Sequence, residues 1–143
     1  MIEGAIIGLI VAIVMIFYKK HKEKNAINKV MNNEVIDQPD FAAYFHCASE
    51  KTFSGKGFKF FDTNGVLTLN GSLLTYKPDQ KNSPAIEIDL NNAVLSLAPQ
   101  KRKMKWIEIT YNNDKLYFTT FKQNAFSLDQ KQMEEFLKLT LKE

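Results

Sequence analysis

The sequence predicts an α+β, mainly β architecture: a seven-stranded antiparallel barrel or sandwich capped by a C-terminal helix, behind one N-terminal transmembrane helix. Three observations lead there. The first residues, "MIEGAIIGLIVAIVMIFY", hold no charge between Ala5 and Tyr18. From Phe53 onward, short runs of β-branched and aromatic residues alternate with turn residues. The chain then closes on "SLDQKQMEEFLKLTLKE", where apolar residues recur at helical spacing. At 143 residues there is room for one domain and an appendage.

The opening segment tests against three alternatives. A cleaved signal needs a positive start and a small-residue cleavage site, and neither is present. A buried globular helix keeps a polar stripe, and this run has none. A membrane span remains: Ile2 to Tyr18 gives about 25 Å of helix against a hydrocarbon core of about 30 Å. On this reading Tyr18, Lys19, Lys20 and Lys22 sit at the membrane interface. Gly4, Gly8 and Ala12 recur every four residues, a spacing that lets spans associate, either as a homo-oligomer or with the span of another protein. The basic run lies wholly after the span, which predicts a single-pass protein of the plasma (inner) membrane, N-terminus out and C-terminal domain cytoplasmic.

Net charge is +3, and "KKHKEK" at 19–24 supplies four lysines against one glutamate, so the rest of the chain sums to zero. A neutral folded part argues against nucleic acid as a partner. Cys47 is the one cysteine, so no internal disulfide forms; it reads as a small buried hydrophobe.

The expected organisation is a span over 1–18, a basic juxtamembrane helix or linker over 19–40, and one domain over 41–143. Ile27, Val30, Met31 and Val35 give residues 19–36 a weak helical stripe, either a spacer or a surface-lying helix. Pro39 interrupts it. In "DFAAYFHCASEK", Asp40 as N-cap with Phe41, Tyr44, Phe45 and Ala48 on one face predicts a short helix over 41–49. Strands fill 53–121: "TFSGKGFKFF", "GVLTLN", "SLLTYK", "AIEIDL", "AVLSLA", "KWIEITY" and "KLYFTTF". Turns are expected at "DTNG" (62–65), Asn70-Gly71 and "NND" (112–114). A helix over 128–142, capped by Ser127 with Gln130 or Asp129 with Gln132, covers the open end of the barrel.

Seven short strands followed by one helix resemble the pleckstrin-homology superfold, most nearly its GRAM-type and bacterial PH-like members. The carrying stretches are "GVLTLNGSLLTYKP" from Gly65, "IEIDLNNAVLSL" from Ile86, "KWIEITYNNDKLYFTTF" from Lys105 and the helix after Asp129. The resemblance covers about residues 53–142 and implies a non-catalytic binding module for lipid headgroups or protein partners. Lys51, Lys56 and Lys59 stand where phosphoinositide binders carry basic residues, but the specific arrangement is incomplete.

The densest charge in the folded part is "KRKMKW": Lys101, Arg102, Lys103 and Lys105, followed by Trp106. As a basic loop it suits anionic headgroups or a partner protein; as plain surface it is solvated, with Trp106 covering the sheet. Nothing predicts catalysis, a cofactor or a metal. There is no glycine-rich phosphate loop, His46 and Cys47 are adjacent and would point apart on a helix, and His21 lies in the basic run. Glu87 and Asp89 share one strand face as a solvent-facing row. The function expected is an adaptor or scaffold for a protein partner at the inner leaflet. The alternatives are an anionic-lipid sensor and a small accessory subunit of a membrane complex.

Overall fold

The computed structural model describes residues 2–33, 39–101, 103–123 and 128–141. The chain divides into two compact units, Met1–Val35 and Ile36–Glu143.

The first unit is one helix, α1 (Ile2–Asn33). Among the described residues, no helix is long and apolar enough to cross a membrane. The described side chains of the apolar run extend from Ile6 to Tyr18, about 20 Å of helix. Any longer stretch from Ile6 soon includes Lys19, Lys20, Lys22 and Glu23. The transmembrane helix is therefore corrected to a helix, exposed from Ile6 to Lys22, that runs without a break from an apolar half into a basic one. The single-pass topology, the outward N-terminus and the inner-membrane location were built on that span and go with it.

The second unit is a seven-stranded antiparallel half-barrel sheet in the order β4-β3-β2-β1-β7-β6-β5, so β4 and β5 are edges. Its strands are β1 (Phe41–Ser49), β2 (Thr63–Asn70), β3 (Leu73–Pro78), β4 (Ile86–Asp89), β5 (Val94–Leu97), β6 (Ile107–Tyr111) and β7 (Asp114–Thr119). A short helix α2 (Glu50–Ser54) follows β1, and a 3-10 turn over Leu90–Asn92 joins β4 to β5. A two-stranded ribbon, β8 (Lys122–Gln123) with β9 (Leu128–Asp129), precedes α3 (Lys131–Thr140).

The segment 41–49, expected as a short helix, is instead the central strand. β1 pairs with β2 from Phe41↔Leu69 to Cys47↔Thr63, and with β7 from His46↔Thr119 to Ser49↔Leu116. A strand covered on both faces needs apolar residues at every position, and such a run also satisfies helical spacing. Phe41, Ala43, Phe45 and Cys47 enter the main core, where Leu67, Leu74, Tyr76, Ile107, Ile109 and Phe118 meet Met133 and Phe136 of α3. On the other face Ala48 joins a second cluster of Met104, Trp106 and Tyr117, with Phe53, Phe61 and Phe121 packed against it.

The strand expected at 53–61 is α2 and a loop. Ser49 caps the helix by accepting the Thr52 N–H at 3.3 Å, and Gly55 ends it. "DTNG" is no turn: Gly65 lies within β2, where a Cβ would run into the Lys77 carbonyl oxygen and crowd Pro78 Cα. The other two turns form as expected. Gly71 adopts φ +60° between β2 and β3, and Asn112 and Asn113 adopt φ 51° and 66° between β6 and β7, the paired left-handed geometry of tight hairpins.

Of the two expected capping pairs at α3, Ser127 with Gln130 falls outside the described residues; Asp129 accepts the Lys131 N–H at 2.9 Å in place of the Gln132 N–H, and the N-cap Gln130 makes no side-chain cap bond. Its amide instead mimics a strand residue. Oε1 accepts the Lys105 N–H at 2.9 Å, and Nε2 donates to Lys105 O at 3.3 Å, Thr119 Oγ1 at 3.2 Å and Thr120 O at 3.3 Å. One side chain thus fastens the start of α3 to the entry of β6 and the end of β7.

Candidate functional site

The polar groups that might carry chemistry are each committed to structure. The Cys47 thiol is buried in the main core, and burial, helped by the nearby Asp62 charge, pushes it up to about 12 against a weaker hydrogen bond from Thr63. Such a thiol stays protonated and unreactive at neutral pH. His46, on the opposite face of β1, is buried and stacks on Phe61 at 4.3 Å between ring centroids, with Phe121 at 5.1 Å. Its Nδ1 lies 2.5 Å from Asn64 Oδ1, which accepts the imidazole N–H. The strand places His46 and Cys47 on opposite faces, so they form no pair. Tyr76 in the core bonds the Thr63 hydroxyl at 2.9 Å, and burial raises its pKa.

Among the described residues, no three His, Cys, Asp or Glu side chains group to hold a metal ion. Glu87 and Asp89 share the exposed row of β4, but Asp89 is engaged: its carboxylate accepts the Asn91 N–H at 3.0 Å and the Asn92 amide at 3.2 Å. A cleft of about 250 Å³ beside β8, β9 and α3 includes Lys122, Lys131, Asp129 and Glu135 in its lining. Its formal charges cancel, and it offers no focused chemistry.

Among the described residues, the predicted basic loop does not gather into one free patch. Lys101 Nζ donates to the Phe53 and Gly55 carbonyls at the end of α2, and lies 5.1 Å from the Phe53 ring centroid. Lys105 faces α3, its Nζ 3.6 Å from Glu134 Oε1. Trp106 is 2% exposed and donates its indole N–H to Lys101 O at 3.4 Å, so it covers the sheet from within the second cluster. Lys103, with φ 63°, is exposed at the tip of the turn, and Arg102 lies outside the described residues. On α1, Tyr18, Lys19, Lys20 and Lys22 are exposed. Gly8 and Ala12 are exposed too, and a Cβ at Gly8 would meet nothing within 4 Å. Gly4 lies on α1, but its surroundings fall outside the described residues.

A different feature stands out on the surface of the second unit. In the loop "GKGFKFF" after α2, Phe58 is 97% exposed, with exposed Lys56 and Lys59 on either side. Phe53 and Phe61 anchor the loop's two ends in the second cluster, through contacts with Trp106 at 5.2 and 5.6 Å. Asp62 locks the C-terminal end: it accepts the Ser49 N–H at 2.6 Å and the Thr52 hydroxyl at 2.7 Å, and Lys59 Nζ lies 3.3 Å away. Burial works against its charge, but these bonds outweigh it and hold the carboxyl at about 2. Lys101, by bonding Gly55, ties the loop to the turn that carries Lys103. The feature is thus an aromatic tip among lysines on a fixed base. The strand reading of 53–61 concealed it, although "SGKG" immediately before Phe58 is a turn signal.

No protein-family model matches the chain, and no curated protein and no solved structure matches it either.

Proposed function

We propose that the second unit is a non-catalytic binding module of the PH-like kind, an adaptor that docks a protein partner through the loop 55–61. The observation that carries this is Phe58, almost wholly solvent-exposed between two lysines on a loop whose base is pinned. A large ring held in water is costly unless something covers it: burying a Phe is worth about 1.5–3 kcal/mol. Exposed aromatic anchors ringed by polar groups are where interface energy concentrates. Lys56 and Lys103 add a positive rim beside the Lys59–Asp62 pair, which suits a partner with an apolar pocket edged by acidic residues. The commitment of Cys47, His46 and Asp62 to packing and hydrogen bonds supports binding over catalysis.

A photo-crosslinking residue at position 58 of the full chain, expressed in its native cells, tests this. The expected result is a discrete protein adduct that is lost in the Lys56→Glu variant, which leaves the Lys59–Asp62 pair intact, and is missing when the crosslinker is moved to Lys115. Adducts to lipid alone, or the same adducts from both positions, would overturn it.

A further inference from the structure

We propose that β5 is a self-association edge, along which two copies of this chain pair antiparallel about a two-fold axis near Ser96. Among the described residues, β5 pairs with β6 alone. Ala98 N–H donates to Trp106 O at 2.9 Å, which sets the phase of the ladder. Ser96 and Val94 therefore turn their backbone groups toward β6, and Leu95 and Leu97 turn theirs to the free side. Two apolar side chains of this edge are uncovered, Val94 at 68% and Leu97 at 55% exposed, with the exposed Ser96 between them and Leu95 partly buried against the core.

The two edges of the sheet differ in how they are protected. Proteins blunt free edges with charge, proline or bulges. β4 carries Glu87 and Asp89, whereas Leu90 to Gln100 contains no ionisable side chain. That neutrality is what selects a second copy as the occupant. An antiparallel two-fold pairing sets the axial residue opposite its own counterpart and pairs the residues on either side of it with each other, so a charge on so short an edge would lie close to its own copy. β5 carries none, and β4 carries two of one sign.

With Ser96 on the axis, Leu95 of one copy faces Leu97 of the other, and the outward N–H and C=O groups of these two residues satisfy one another in four hydrogen bonds. Leu97 is then covered by its partner's Leu95 on the core face, and Val94 by Ala98 on the other. The ladder stops there, because Pro99 has no N–H and the Ala93 N–H is held by Leu90 O. The result is a closed dimer.

Ser96 and its mate form a non-hydrogen-bonded pair about 4.5 Å apart at Cα, within reach of a disulfide. In the full chain, Ser96→Cys under mild oxidation is expected to give a covalent dimer that Glu87→Cys on the other edge does not. The native Cys47 is buried and does not compete. In sedimentation, Ser96→Lys sets like charges face to face and is expected to weaken the dimer about tenfold or more. Ser96→Thr, which keeps the edge neutral, retains it. The proposal is overturned if Ser96→Cys crosslinks no better than Glu87→Cys, if it captures a different protein in place of its own copy, or if Ser96→Lys sediments like the native chain.

Discussion

Asp62 holds together the base of the Phe58 loop, and replacing it by Asn removes the charge while keeping the shape. Its folded carboxyl sits at about 2 against an ordinary 3.8. At 1.36 kcal/mol per unit this corresponds to about 2.5 kcal/mol. The side chain is 30% exposed and its Lys59 partner 70% exposed, so solvent screening lowers the expectation to about 1–2 kcal/mol. The pKa is depressed on folding, so the contribution is complete above the unfolded value and is lost as pH falls through the folded one. Asp62→Asn should therefore be less stable than the native chain in urea unfolding at pH 7 and at pH 5. At pH 3 the gap should shrink to about half, because the unfolded carboxyl is by then mostly protonated and the folded one is not. A gap that is absent at pH 7, or that stays constant down to pH 3, would refute the assignment of Asp62 as the charged lock of this loop.

Gln130→Leu removes all four bonds between the start of α3 and the ends of β6 and β7, and strands the Lys105 N–H. A loss of about 2–4 kcal/mol is expected in thermal or urea unfolding, with Gln130→Glu intermediate because it keeps the acceptor. The Cys47 thiol, pushed up to about 12 by burial, should resist neutral-pH alkylation in the native chain and react fully in urea; rapid labelling of the native chain would contradict its placement.

How far the sequence was legible depended on whether each element had one polar face. β6 and β7 alternate clearly around "NND", and α3 has a true apolar stripe in Met133, Phe136 and Leu137. These were readable because water on one side imposes a period. β1 is buried on both sides, so no period survives, and "FAAYFHCA" passed for a helix. The swap of β1 for the expected strand at 53–61 keeps seven strands in the main sheet while changing its membership, and the ribbon β8–β9 lies beside it. The first segment departs from its expectation for another reason: an apolar run without a polar stripe matches a lipid-facing span, yet its described part is short and is followed at once by lysines. The site was the least legible. "KRKMKW" drew notice by charge, but folding directs Lys101 to carbonyls, Lys105 toward Glu134 and Trp106 inward. Phe58 drew none, because a single aromatic inside an apparent strand gives no sign that it stands in water.

The most direct test of the binding role is the affinity of the full chain for the partner crosslinked at position 58, measured by titration calorimetry with Phe58→Ser beside the native chain. Loss of an aromatic anchor worth about 2 kcal/mol predicts a Kd raised about thirtyfold, with urea unfolding unchanged because the ring packs against little of its own domain. A Kd within about threefold of native, a change of under about 0.7 kcal/mol, would contradict the account and move the contact surface elsewhere.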